Sequence, residues 1–205
     1  MDLYLVRHGE TESNRERKYT GWTESPLSEQ GILQAERAAQ YLADKNIDAL
    51  YCSDLDRALQ TARIIGSASG LQPRVTSKLR EIHFGRWEGM TFNEIQASWG
   101  DRINHWLDDP FRRSAPEGET LEKVCRRMQT FLDTVSRSYP DGNRVVAVSH
   151  GGSIRALLSH VMGLDPKKFW DLKIDNASVS LVKFDGFQHK LIYYNKTAHL
   201  TPDGC

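Results

Sequence analysis

Two histidines occupy matching places in this chain: LYLVRHGE near the start and VVAVSHGG at 145–152 each run an apolar stretch through one further residue into His-Gly. An imidazole that attacks phosphorus needs one ring nitrogen free, the other held by a hydrogen bond, and cations around the phosphate oxygens. His8 has Arg7 beside it, and His150 supplies a second imidazole. Arg57, in Ser53-Asp54-Leu55-Asp56-Arg57-Ala58, is a second candidate clamp, because guanidinium offers parallel donors that match phosphate oxygens. Gly9 and Gly151 let the backbone approach a ligand closely. Cleaving a phosphomonoester also requires a proton for the departing alkoxide. Glu81, between apolar neighbours in Leu79-Arg80-Glu81-Ile82-His83-Phe84-Gly85, is the candidate donor, its partial burial expected to keep the proton on.

Taken singly, each residue has an ordinary role. A His-Gly after a strand is commonly a turn, Arg57 a solvated helix cation, and Glu81 a surface carboxylate. Two strand-end His-Gly pairs in one chain shift the balance for the histidines. Trp87, Trp99 and Trp106 read as packing, and Arg112-Arg113 as a solvated face.

The elements that must position these groups alternate. Leu3 to Val6 is a short continuous apolar run, the pattern of a parallel strand buried on both faces. Ser28 caps a helix with apolar positions Leu33, Ala35, Ala38, Ala39 and Leu42, ended by Asn46. Ala49 to Ser53 is a second strand, and Asp54 to Ile65 a helix turning Leu55, Ala58, Leu59, Ala62 and Ile65 inward. Pro73 to Thr76 is a third strand. From Arg80 to about Gly118 the chain is irregular, and residues from about Phe84 read as a small lid-like insertion that sets specificity. Leu121, Val124, Cys125, Met128, Phe131, Leu132 and Val135 form a helical stripe. Val145 to Val148 is another buried strand, leading into a helix from Ser153 to Met162. Ser178 to Phe184 and Leu191 to Tyr194 pair as a hairpin around Asp185-Gly186. Ligands of open α/β sheets bind beyond the carboxyl ends of the strands, so adjacent parallel strands would bring His8 and His150 to one site.

Composition bounds the partners. The chain has 205 residues, 39% hydrophobic, which suits one α/β domain over 1–205. Lys plus Arg balances Asp plus Glu at 27 each, so no overall field advertises nucleic acid or an anionic membrane. Cys52, Cys125 and Cys205 are odd in number and far apart, which predicts no disulfide framework or zinc knuckle and a reducing cytoplasm. No apolar stretch reaches the length of a membrane span, and the first residues are too short and too acidic for a secretory signal. The oligomeric state stays between monomer and homodimer.

The motifs resemble those of a known family. Leu5-Val6-Arg7-His8-Gly9-Glu10-Thr11 with Asn14 is similar to the signature of the histidine phosphatase superfamily, also called phosphoglycerate mutase-like. The similarity continues in family order through Tyr19-Thr20-Gly21-Trp22, Pro26-Leu27-Ser28-Glu29-Gln30-Gly31, Ser53 to Ala62, Leu79-Arg80-Glu81, Trp87-Glu88-Gly89 and Ser149 to Ala156. The resemblance implies a three-layer fold, a mostly parallel sheet flanked by helices, with a variable insertion over the site. It implies that His8 becomes phosphorylated, that Arg7, Arg57 and His150 hold the phosphoryl group, and that Glu81 is the proton donor and then the base for water. Asn14, Thr20, Gly21 and the Gly151 backbone would contact phosphate or the rest of a small phosphorylated metabolite. Neither metal nor organic cofactor is implied. The true mutases of the family carry a longer insertion and commonly an Asn where this chain has Gly152, which favours hydrolysis. The tail Tyr194-Asn195-Lys196-Thr197-Ala198-His199-Leu200 is similar to that of phosphatases acting on α-ribazole 5′-phosphate in cobalamin assembly. Phosphoserine and broad-specificity phosphatases, a phosphoglycerate mutase and an inactive phosphate-binding regulatory module are the alternatives.

Overall fold

The computed structural model describes residues 1–201. Strand β1 (Asp2–Arg7) runs through the middle of a six-stranded sheet, because Leu3 and Leu5 find apolar partners on one face while Tyr4 and Val6 find them on the other. Strands β2 (Ala49–Cys52), β3 (Arg74–Val75), β4 (Arg144–Ser149), β5 (Val179–Phe184) and β6 (His189–Lys196) complete the order β3-β2-β4-β1-β5-β6. The four strands β3, β2, β4 and β1 are mutually parallel, and β5 and β6 add an antiparallel edge.

Helices α2 (Glu29–Ala43) and α3 (Asp56–Ser69) cover one face with Ala39, Leu42, Ala58, Ala62 and Ile65. Helices α6 (Leu121–Ser138) and α7 (Gly151–Met162) cover the other with Val124, Phe131, Leu132, Ile154 and Leu157. The short helix α1 (Glu12–Arg15) follows β1, and α4 (Phe92–Trp99) and α5 (Arg102–Asp108) lie in the 84–118 segment. That segment has its own apolar cluster of Trp87, Ile95, Ile103, Trp106 and Ala115. The expected mixed α/β fold with helices on both sheet faces is therefore observed.

Four local expectations are corrected. Ser28 does cap α2, its hydroxyl accepting from the Gly31 N–H at 3.1 Å, but Leu33 is exposed. It lies two residues from Ala35, about 200° around the helix from the buried stripe. The helix stops at Ala43, and Asn46 sits beyond it in a left-handed turn at φ 46°. The third strand shrinks to Arg74–Val75, both exposed at the sheet edge. Helix α7 starts at Gly151 rather than Ser153, so the second His-Gly is a helix N-terminus, with His150 in the capping position.

Candidate active site

Parallel pairing of β1 with β4 aligns Arg7 with Ser149, and the His8 N–H donates to the Ser149 carbonyl at 3.0 Å. The two strands end together, so the residue after each brings an imidazole to the same place. The ring centres of His8 and His150 lie 5.0 Å apart at 59°. The loop that follows His8 has little freedom. A Cβ on Gly9 would fall 2.2 Å from the Gly31 carbonyl oxygen, so the loop backbone rests directly on the start of α2. The Gly9 N–H donates to the Thr61 hydroxyl of α3 at 3.1 Å. From the other side, the Ala177 N–H and the Asn176 amide donate to the His8 carbonyl.

The ring of His8 is oriented by its own neighbour, since Nδ1 lies 2.7 Å from the Gly9 carbonyl oxygen. A carbonyl can only accept, so Nδ1 carries the proton and Nε2 keeps its lone pair. Burial pushes the His8 pKa well below the usual imidazole value, Arg57 and Arg7 push it further, and the Gly9 hydrogen bond opposes them. His150 is displaced in the same direction by burial, Arg57 and the His8 ring. Both rings are neutral at pH 7.

Arg57 enters from the first turn of α3, almost fully buried, with Nη1 donating to the Thr23 carbonyl at 3.1 Å and Nη2 to the Gly21 carbonyl at 2.5 Å. Arg7 donates from Nη1 to the Ile174 carbonyl at 2.6 Å, while its buried Nε meets no protein acceptor. Burial lowers the Arg7 pKa to about 10, with Glu81 opposing, which leaves it charged at pH 7. Neither ring nitrogen of His150 has a protein partner either. Buried donors of this kind are uncommon in native proteins and here gather around one point.

A cavity of about 510 Å³ opens on that point. Arg7, His8, Asn14, Thr20, Gly21, Arg57, Glu81 and Gly151 all line it. His150 is fully buried, its ring 5.0 Å from that of His8. Asn14 caps the turn at Thr11 and accepts at Oδ1 from the Thr11 N–H and from Asn176 Nδ2, so its own NH2 is left to donate.

The surroundings of Glu81 also differ from expectation. Its carboxyl is met by backbone donors rather than enclosed by apolar side chains. Oε1 accepts from the Ile82 N–H at 2.8 Å and the Ser153 N–H at 3.1 Å, and Oε2 accepts from the Gly152 N–H at 3.0 Å. The free N–H groups that begin any α-helix thus hold the acid in place. Gly152 lets them approach: a Cβ there would lie 2.6 Å from Glu81 Oε1 and 2.7 Å from Ile82 Cδ1, so one of those side chains would have to shift. Arg127 of α6 fixes the same stretch by donating to the carbonyls of Lys78 and Glu81.

The profile of the histidine phosphatase superfamily (branch 1) matches residues 3–197. The chain belongs to this family. The histidine phosphatase chain is 34% identical over 200 residues to phosphoserine phosphatase 1 of Hydrogenobacter thermophilus, covering 98% of this chain and 94% of that one. It is 35% identical over 184 residues to a probable phosphoglycerate mutase, GpmB, of Yersinia pestis, covering 90% and 85%. The structure of a putative α-ribazole-5′-P phosphatase from Escherichia coli superposes with a TM-score of 0.87 at 27% identity over 96% of each chain.

Several residues of this histidine phosphatase's cavity carried no sequence signal. Asn176 bridges His8 and Asn14 across 168 and 162 residues of chain, a contact with no local periodicity behind it. Trp170 follows α7 and lines the cavity beside Arg155. Arg155 stands one turn after Gly151 in the quoted motif, and that spacing alone could have flagged it. Trp87 packs as expected, but Trp106 packs against Trp87 and also lines the cavity.

The buried imidazoles make stability depend on pH. Folding lowers the pKa of His8 and of His150, so the unfolded chain binds more protons on acidification. The stabilisation is complete above the unfolded value of about 6.5 and is lost as pH falls below it, by at most about 1.4 kcal/mol per pH unit for each ring. Urea unfolding at pH 7.5 and 5.5 is expected to show a loss of about 1.4 kcal/mol from each of His8 and His150, with His189 and His199 adding in the same direction, and the loss should shrink by about 1 kcal/mol in His150→Gln. Equal loss in that variant would remove His150 from the account.

Proposed function

We propose that the chain is a phosphomonoester hydrolase of small metabolites working through a phosphohistidine at His8. The observation that carries this is the His8 tautomer: Nδ1–H is committed to the Gly9 carbonyl, and the neutral ring turns Nε2 toward a cavity lined by Arg7 and Arg57. In the first half-reaction Nε2 bonds to phosphorus, the bond from phosphorus to the ester oxygen breaks, and the alkoxide takes a proton from Glu81. In the second, water attacks phosphorus, the phosphorus–nitrogen bond breaks, and the Glu81 carboxylate takes the water's proton. Glu81 Oε2 has one protein donor, whereas Oε1 has two backbone donors and the Ser153 hydroxyl at 3.5 Å, so Oε2 is the oxygen suited to carry that proton. Arg7 and Arg57 balance the phosphoryl charge throughout.

Gly152 supports water as the acceptor. The asparagine common there in the mutases would push Glu81 or Ile82 out of its present position. The tail that resembles α-ribazole phosphatases is poorly placed to select substrate. His199 stacks 5.1 Å from Tyr41 and donates from Nε2 to the Ala177 carbonyl, and no residue of 194–200 lines the cavity. An α-ribazole 5′-phosphate activity would have to come from the cavity wall instead.

Brief mixing with a 32P-labelled phosphomonoester in excess chelator, followed by quenching in alkali, is expected to leave label on the protein that acid then releases. That is the behaviour of a phosphohistidine. Product formed with no alkali-stable label would sink the intermediate. The same assay run over α-ribazole 5′-phosphate, phosphoserine, phosphoglycerates and sugar phosphates ranks the substrates.

A further inference from the structure

Four arginines line the cavity wall without forming an ion pair among the described residues: Arg17, which is exposed to solvent, and Arg7, Arg57 and Arg155, which are buried or half-buried. The cost of an unpaired charge falls on the last three. A phosphoryl group on His8 accounts for Arg7 and Arg57, whose charges both bear on the His8 ring. Arg155 is left over. It sits on α7, and its Nε donates to the Leu172 carbonyl at 2.7 Å. The rings of Phe169 and Trp170 each lie 5.3 Å from its guanidinium carbon. These contacts hold the group on three sides and leave both terminal NH2 groups as a parallel fork of donors. A half-buried cation so fixed, with no anion opposite it, is costly unless something supplies one.

Its position says what. Arg155 is on the second turn of α7, and the first turn of that helix holds Glu81 through the Gly152 and Ser153 N–H groups. Burial lowers its pKa and the Glu81 charge opposes that. Arg155 therefore stands on the proton-donor side of the cavity, where the alcohol of the ester must leave. Lys18, another cation of the wall, is already paired with Glu16 at 2.7 Å. Phe84, Phe92 and Trp106 make the adjoining wall apolar, which strengthens any charge pairing made against it.

We propose that Arg155 anchors a carboxylate borne by the alcohol portion of the substrate, so that this enzyme acts on phosphomonoesters of hydroxy acids. Two coplanar carboxylate oxygens fit the end-on fork, with the phosphoryl group between His8 and the two deeper arginines. The inference rests on the phosphomonoesterase reading above and narrows it.

The test uses pairs of compounds that differ in the carboxylate alone: 3-phosphoglycerate against glycerol 3-phosphate, and O-phosphoserine against O-phosphoethanolamine. Each competes with hydrolysis of p-nitrophenyl phosphate, so a competition constant is obtained whether or not the compound is itself turned over. The wild type is expected to favour the carboxylated member of each pair by about 10-fold or more, the usual scale of a charged, bidentate contact. In Arg155→Met both ratios should fall to within about threefold of one. Arg155→Lys, which keeps the charge and loses the fork, should fall in between; it carries the test if the Met variant does not fold. A wild-type ratio near one, or a ratio retained in both variants, overturns the carboxylate anchor and leaves the phosphatase reading intact. Absence of p-nitrophenyl phosphate hydrolysis by the wild type overturns that reading, and the anchor with it.

Discussion

His8→Ala is expected to lower kcat/KM for p-nitrophenyl phosphate by about 10⁴-fold or more, the scale on which nucleophile removal acts in enzymes with a covalent intermediate. At 25 °C that is about 5.5 kcal/mol of lost transition-state stabilisation. The loss is large because no other group in the cavity can take over. His150 is fully buried, with no exposed nitrogen to attack from. Glu81 is tethered by three backbone N–H groups, and Arg7 and Arg57 are held by carbonyls. The fold should survive, since the His8 backbone is fixed by Ser149, Ala177 and Asn176 rather than by its ring. Inorganic phosphate should still bind, detectable by calorimetry, because both arginines remain. A variant that keeps activity within about tenfold of wild type would end the phosphohistidine mechanism.

Glu81→Gln is expected to show a second large effect, graded by the leaving group. An alkyl phosphate needs a proton on its departing oxygen, so its turnover should fall by about 10²–10⁴-fold, the range for general acid catalysis. The p-nitrophenolate ion leaves without help, and its phosphorylation step should fall much less. Glutamine matches glutamate in size but not in hydrogen bonding. Its NH2 must face one of the N–H donors that now converge on the carboxylate, from Ile82, Gly152 or Ser153. Some displacement of the side chain therefore adds to the chemical loss. A fall of equal size for alkyl and aryl esters would assign Glu81 to positioning rather than proton transfer.

Much of this molecule is legible locally. The buried strands β1 and β4, the stripe along α6 and the Ser28 cap are encoded within a few residues of where they act, through side-chain alternation, the helical repeat and short-range hydrogen bonds. Leu33 shows the limit of that reading: hydrophobicity marked it for the core, but its angle on α2 turned it to solvent. Gly151 and Gly152 show another. As a sequence they read as a loop, yet free N–H groups beside an acceptor carboxylate let them open a helix instead.

The list of candidate reacting groups, His8 with Arg7, Arg57, Glu81 and His150, was determined by residue type and motif. Their relations were not. That His8 and His150 face one another follows from the register of β1 on β4, and that Nε2 is the free nitrogen follows from where the Gly9 carbonyl points. Glu81 is held by a helix end 71 residues on, and His8 by Asn176, 168 residues on. Arg155 became a recognition group because Leu172, Phe169 and Trp170 fold back over it while no carboxylate pairs with it. Chemical identity is a property of each residue, and one chain suffices to read it. Tautomer, hydrogen-bond partner and unpaired charge belong to contacts between distant segments, and packing alone decides those.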